Sequence, residues 1–356
     1  MMLARPPGDE RSGGDDGAAR ASQDASCARH PRLRRWLWLG WLAVVLTLAV
    51  TIGHGIAAEF EPVGVRLEPL RLSARVYFVQ GDTGPISSAN QGFNSNAGFV
   101  VTDEGVVVFD ALGTPALGAE LLRRIRQITD KPIRRVVVSH YHADHFYGLQ
   151  AFAGTGADIW AQRLVRDYLA TEAPSARLDE RRQSLFPWVN ETSRVVPPTR
   201  YVDAEISFRL GGLTFRVIPV GPAHTPEDLM MLVEEEGVLF AGDLMFAGRV
   251  PFVGDADSRS WLAAIEGLIE RRPKILVGGH GPASSDAARD LVLTRDYLRF
   301  LRAEMGRAVQ EMLSFDEAYA RTDWSRFRDI PAFEAANRRN AYNTFILMEK
   351  EALAGK

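Results

Sequence analysis

Between positions 139 and 145 the chain reads Ser-His-Tyr-His-Ala-Asp-His, which puts three imidazoles and a carboxylate within six residues. A valine-rich run, residues 135–139, leads into this string as a short strand, and residues 146–152 follow as a helix. His140 and His142 are two apart, so in extended backbone they point the same way. Asp144 and His145 open the turn toward a second position. A single loop histidine needs only solvent, but four such donors at one strand exit converge on a volume the size of a cation. Imidazole with carboxylate suits zinc, and also iron or manganese. The one cysteine, Cys27, lies far from the string in a stretch rich in Gly, Asp, Ser and Arg. Nitrogen and oxygen must therefore supply every ligand, and no disulfide can form within the chain.

The string His140-x-His142-x-Asp144-His145 resembles the hallmark of the metallo-β-lactamase superfamily, and the resemblance implies where the remaining ligands stand. His224 sits in Gly221-Pro222-Ala223-His224-Thr225, Asp243 ends Phe240-Ala241-Gly242-Asp243, and His280 lies within Gly278-Gly279-His280-Gly281. Of the seven histidines, the two left over, His30 and His54, fall in the N-terminal segment. By the resemblance, His140, His142 and His224 hold one metal, Asp144, His145 and His280 hold the other, and Asp243 bridges. Two zinc ions per chain are the implied cofactors, with iron or manganese as alternatives. Water activated between two such ions is a nucleophile near neutral pH, and Asp144 would orient it or take its proton. Asp110, closing the β-rich run 106–109, matches a family aspartate that supports the metal loop. Its other reading is an ordinary strand-end turn residue. The implied fold is α/β, an αββα sandwich of two mixed β-sheets over residues 70–285.

Two further runs, Gln91-Gly92-Phe93-Asn94-Ser95-Asn96-Ala97-Gly98 and His224-Thr225-Pro226-Glu227-Asp228-Leu229, narrow the likeness. Together with Asn340 in the tail, they are similar to the exported quinoprotein relay system zinc metallohydrolases. The ligand set with Asp243 is similar to that of glyoxalase II, which hydrolyses thioesters. With no cysteine in the body, lactamases that use a cysteine metal ligand are disfavoured. The activity implied is hydrolysis of an ester, thioester or lactone in a small-molecule substrate. Hydrolysis of β-lactams is the alternative, and a non-catalytic metal-binding accessory of a periplasmic dehydrogenase system is the second.

Positioning these residues takes a body of alternating strands and helices, and 356 residues with 46% hydrophobic content can build one. A hairpin joins runs 99–101 and 106–109 through Thr-Asp-Glu-Gly, and another joins 206–210 and 213–219 through Gly211-Gly212. A third pairs 229–233 with 238–241. Residues 117–128 and 260–270 carry helical spacing, and 275–278 form a late strand. Past Pro282 the pattern becomes helical, and residues 286–356 form an extension packed on the body. There Leu291, Leu298, Leu301, Met305, Val309 and Met312 define one amphipathic face. Arg338 and Arg339 read as solvated helix charges, with contact to an anionic substrate as the alternative.

A net charge of -3 offers no polyanion-binding surface, so nucleic acid is not an expected partner. Residues 1–35 lack any apolar period, read as a disordered basic region and close on Arg32, Arg34 and Arg35, and residues 36–58 are apolar, with small residues at Ala57 and Ala58. Positive charge, apolar run and small-residue exit read as a signal peptide, or as a signal-anchor if uncleaved. Either reading places the body on the periplasmic or extracellular side, with the membrane as a partner if the segment is retained.

Overall fold

The computed structural model describes residues 60–355, so the segment assigned to export lies outside the described residues. Among the described residues, twelve strands make two mixed sheets. In the first, β1 (Leu70–Arg71), β2 (Val76–Val79), β3 (Ala97–Thr102), β4 (Gly105–Phe109), β5 (Ile133–Val137), β6 (Asp158–Gln162) and β7 (Arg200–Val202) lie side by side in chain order. β1 to β4 are antiparallel hairpins, and β4 to β7 are parallel. The change of direction follows from the connections, since α1 (Pro115–Ile128) carries the chain back between β4 and β5. Thr114 caps that helix by accepting Leu117 N–H at 3.0 Å, and Pro115 opens it without losing a needed donor.

The second sheet runs β12 (Ile275–His280), β11 (Val238–Phe246), β10 (Leu229–Val233), β9 (Leu213–Pro219) and β8 (Ile206–Leu210). Only β11 and β12 are parallel, joined through α6 (Ser258–Arg271). Three apolar layers hold the sandwich. One lies under α1 against the outer face of the first sheet, with Leu117, Leu121 and Ile125 on Val106, Val108 and Val136. A second fills the space between the sheets, where Phe109 and Phe240 stack at 5.3 Å. Gly98 is required there, because a Cβ would stand 2.1 Å from the Phe240 ring.

The third layer joins the second sheet to the C-terminal helices. These are α8 (Val292–Gln310), α9 (Phe315–Arg321) and α10 (Phe333–Leu353), after the short α7 (Ala287–Asp290). The amphipathic face read from 291 to 312 is buried through Met305, half-buried at Val309 and ends there. α8 stops at Gln310, and Met312, at positive φ, is 91% exposed where the chain turns into the Ser314 cap of α9. No helix among the described residues is long and apolar enough to cross a membrane.

Candidate metal centre

The string after β5 divides at His142, which precedes the one-turn helix α2 (Ala143–Phe146), and α3 (Leu149–Phe152) follows. The helix expected over 146–152 is thus two short pieces, and the first begins early enough to include Asp144 and His145. Ser139 C=O accepts Leu229 N–H at 2.7 Å, tying this loop to the second sheet, and Ala111 N–H donates to His145 C=O at 2.8 Å. Asp243 lies within β11, not beyond a strand end as the sequence suggested. Register shifts on both sides of Gly242, at φ 53°, keep the strand paired through Phe246. His280 ends β12.

The structure brings all seven expected ligands together in two groups. His140, His142, His224 and Asp243 form one and Asp144, His145 and His280 the other, each with donor atoms within 4.8 Å of one another. Asp243 faces both. Its Oδ1 is 3.1 Å from His145 Nε2, and its Oδ2 is 3.3 Å from His224 Nε2, 3.4 Å from His280 Nε2 and 3.7 Å from His140 Nε2. Gly279 allows this crowding, since a Cβ there would lie 1.9 Å from Asp243 Oδ1.

The donor atoms fit a cation better than they fit one another. His140 Nε2, His145 Nε2 and Asp243 Oδ1 are all buried without a hydrogen-bond partner. His145 Nε2 and Asp243 Oδ1 are close but not aligned as a hydrogen bond, and His142 Nδ1 meets His224 Nε2 at 3.0 Å, lone pair toward lone pair or across a single proton. Buried polar groups are rarely left in this state without a reason. Burial pushes His140 well below the usual imidazole range and His224 down to about 3, so both are neutral with a lone pair free at pH 7. Burial opposes ionisation of Asp243, yet His145 and His280 hold its carboxyl well below the usual range.

Hydrogen bonds behind the donors fix their orientation. Asp110 Oδ1 accepts Ser139 N–H at 2.7 Å, and Oδ2 accepts the Ser139 hydroxyl at 2.8 Å and His145 Nδ1–H at 2.9 Å. Ser139 Oγ in turn accepts His140 Nδ1–H at 2.9 Å. One carboxylate therefore sets the tautomer of two imidazoles and aims both Nε2 atoms inward. Asp110 has φ 60°, and its neighbour Leu112 also has positive φ, strain of the kind held at functional loops.

Sequence reasoning left several participants out. Asn94 donates from Nδ2 to Asp144 Oδ2 at 3.2 Å and accepts His280 Nδ1–H on its carbonyl at 2.6 Å. Asn96 Nδ2 donates to Gly278 C=O and Gly281 C=O on either side of His280. Both residues lie in the run 91–98, whose density of short amides was the available signal. Phe252 meets the His142 ring edge-on at 6.0 Å, and Arg249 lies buried beside His280. Arg338, by contrast, is exposed and paired with Asp316 at 2.7 Å, while exposed Arg339 covers Phe252.

The loop bearing Arg249 and Phe252 is held by α10. Asn340 Oδ1 accepts Val253 N–H at 2.9 Å, and its Nδ2 donates to Pro251 C=O at 2.7 Å and the Tyr297 hydroxyl at 3.0 Å. Asn340→Ala strands these buried partners, at a cost of roughly 1–3 kcal/mol, or a Tm about 5 °C lower. Metal content should persist, because Asn340 touches no donor. An unchanged melt would show the clamp to be dispensable.

Asp228 secures the His224 loop, accepting Thr225 N–H and the Thr225 hydroxyl, each at 2.8 Å. Burial lifts its carboxyl to about 8, with Glu227 and Asp243 adding to the rise. The folded value lies above the unfolded one, so this stabilisation is complete below about pH 4 and is lost as pH rises through about 8. Melts across that range should show Tm declining toward alkaline pH in the wild type and less steeply in Asp228→Asn. Parallel curves would count against a neutral Asp228.

A two-sheet α/β sandwich with paired His/Asp groups at its strand ends is the frame of a class of metal-dependent hydrolases. Residues 90–280 match the metallo-beta-lactamase superfamily, and the chain belongs to it. It is 24% identical over 249 residues to a linear primary-alkylsulfatase of Pseudomonas sp., covering 60% of this chain and 47% of that protein. A metallo-beta-lactamase type 2 of Elizabethkingia meningoseptica is 23% identical, over 67% of this chain and 86% of its own length. Among solved structures, a metallo-beta-lactamase from Pontibacter korlensis superposes with TM-score 0.51 at 24% identity, over 66% of this chain and 99% of that one. The sec-alkylsulfatase Pisa1 from Pseudomonas sp. gives TM-score 0.61 at 19% identity, over 78% and 50%. The chain thus spans about half the length of the alkylsulfatases it matches.

Proposed function

We propose that this chain is an exported hydrolase of ester-type bonds (ester, thioester or lactone) working with two metal ions, zinc first among them. One observation carries the reading: two donor groups meet at the Asp243 carboxylate, and three inward atoms, His140 Nε2, His145 Nε2 and Asp243 Oδ1, are buried and unsatisfied. His140, His142 and His224 would hold one ion and Asp144, His145 and His280 the other, with Asp243 between. When bound, divalent ions supply Lewis acidity, lowering the pKa of water and polarising a substrate oxygen.

The chain's own residues do the rest. Asp144 is the most open carboxylate of the centre, with its side chain 19% exposed, and Asn94 steadies its Oδ2. It is placed to take the proton of the attacking water and return it to the leaving group. Phe252, half-buried at the edge of His142, walls the approach and keeps bulk water off the reacting bond. The narrower reading, an exported quinoprotein relay system metallohydrolase, is supported by the runs 91–98 and 224–229, whose amides and carboxylates support this centre. The N-terminal segment, read from its sequence as an export signal, supports a location outside the cytoplasm, and a C-terminal reporter fusion that stays cytoplasmic would refute it.

The test is metal content by elemental mass spectrometry on the full chain, purified without chelator, followed by assays on one sample. The panel contains a thioester, a lactone, a carboxylic ester, a sulfate ester (for the likeness to alkylsulfatases) and nitrocefin. About two ions per chain with turnover of an ester-type substrate is the expected result. Nitrocefin turnover exceeding all the others would favour the second reading, a β-lactam hydrolase, which the near full-length match to the Elizabethkingia protein supports. Full loading with no turnover would favour the accessory role.

A further inference from the structure

We infer that the Arg249 guanidinium is a binding seat for an oxyanion carried by the substrate, a carboxylate or a sulfate, held beside the scissile bond. The inference rests on the hydrolytic reading above and deepens it by specifying the substrate's charge.

Arg249 follows β11 in a loop whose flanks are apolar, Phe246-Ala247-Gly248 before it and Val250-Pro251-Phe252 after it. It is only 5% exposed. Its Nη1 donates to Gly84 C=O at 3.0 Å, and its Nε, buried as well, has no partner. The approach of Nη1 to His280 Nδ1, 3.5 Å, joins two donors, because His280 Nδ1–H is committed to Asn94 C=O at 2.6 Å. A guanidinium has five N–H groups in a planar fork suited to two oxygens of one acid group. Here a single backbone carbonyl answers them.

A buried cation normally has a carboxylate against it. Arg249 has no ion pair among the described residues. The carboxylates whose field it feels most are Asp144 and Asp243, and both belong to the donor groups. Asp82, next in influence, is exposed and accepts Gly84 N–H through Oδ1. Once Asp144 and Asp243 turn to cations, the guanidinium has no partner left inside. Three carboxylates, Asp110, Asp144 and Asp243, then face four charges from two divalent ions and a fifth from Arg249. The surplus of two positive charges, or of one when the attacking water has lost its proton, favours an anionic guest. The guanidinium lies 3.5 Å from His280 Nδ1, while Nε2 of the same ring faces Asp144 and Asp243, so a guest's charge on it would stand about one imidazole ring from the centre.

A purely structural arginine, bracing the Gly84 turn, is the competing account, and paired substrates separate the two. Each pair shares a scissile ester and differs only in carrying a carboxylate or its neutral amide. Wild-type enzyme is expected to prefer the anionic member, mainly through KM. In Arg249→Met the ratio of kcat/KM for the anionic over the neutral member should fall about 10- to 100-fold. Arg249→Lys, which keeps charge but loses the fork, should fall between.

The second readout needs no turnover: thermal protection of the metal-loaded full chain by sodium sulfate and by sodium acetate, against chloride at equal ionic strength. Protection by either anion that Arg249→Met abolishes supports the seat, and the anion that protects tells sulfate from carboxylate. That result stands even if every hydrolysis assay fails, which would sink the hydrolytic reading alone. An unchanged substrate ratio in Arg249→Lys and Arg249→Met overturns the seat. Equal anion protection across the variants does the same. Should Arg249→Met fail to fold, Arg249→Lys and Arg249→Gln carry both measurements.

Discussion

Asp243→Ala is expected to lose at least one metal ion per chain and to reduce hydrolysis below detection. The Asp243 carboxylate is the one anionic group set between the two donor groups among the described residues: its two oxygens lie between 3.1 and 3.7 Å from His145, His224, His280 and His140. Removing it leaves five imidazoles and Asp144, on the His145 side alone, so the first group keeps no carboxylate and the charge shared between two dications is lost. Transition-state stabilisation by a bound ion amounts to several kcal/mol, so loss of the shared carboxylate should cost about three decades in kcat/KM or more. The fold should survive, because β11 is held by its pairing with β10 and β12 and by buried apolar neighbours, not by this carboxylate. Elemental analysis, a melting curve and one kinetic assay decide it. A fully active variant with two ions would refute the bridging assignment and leave the two groups as separate sites.

Asp243 could be picked out of the sequence, and the reasons mark what else could be. The five body histidines all fall within the two donor groups, His140, His142 and His145 through their spacing and His224 and His280 through the family resemblance. The hairpins were legible where turn residues separate β-branched runs, as at Gly211-Gly212, and β8 and β9 keep the bounds expected. Local pattern misled where backbone geometry departs from regular structure. Bulges at Gly242 extend β11 past Asp243, and the left-handed turn at Met312 ends a face that periodicity alone would continue.

Arg249 was invisible for a different reason. Its one acceptor, Gly84 C=O, is 165 positions away, and its lack of a carboxylate is a property of assembled space. Asn340 was singled out by resemblance, but its role was not, since its bonds to the loop cross 87 and 89 positions. Residues that act on metal are chosen from few types, which spacing exposes. Residues that orient them draw on common polar types and common distances, which only the fold distinguishes.

Asp110 is the sharpest case of such an orienting residue, and Asp110→Asn should damage the centre without damaging the fold. Ser139, 29 positions on, and His145, 35 positions on, converge three donors upon its two oxygens. Asparagine keeps the shape and tolerates the positive φ of 60°. Its Oδ1 can still accept Ser139 N–H, but the NH₂ then faces the Ser139 hydroxyl and His145 Nδ1 with hydrogen where a lone pair was. His145 must carry its proton on Nε2 to meet that donor, which puts hydrogen on the atom aimed at the metal. His140 loses the fixed Ser139 hydroxyl that sets its own tautomer.

Disturbing partners of this kind costs about 10- to 100-fold in metal affinity or activity. The second ion, on the His145 side, should be lost first as chelator is raised. Asp110→Ala lacks even the shape: it leaves buried donors unmet, at roughly 1–3 kcal/mol each, and places a less tolerant residue at positive φ. The expected pattern is therefore near wild-type Tm with weakened metal binding in Asp110→Asn, and lowered Tm as well in Asp110→Ala. Competition with a chromophoric chelator gives the affinities and calorimetry the melts. If Asp110→Asn held both ions as tightly as wild type, tautomer control by this carboxylate would be wrong, and Asp110 would be a turn residue that happens to be buried.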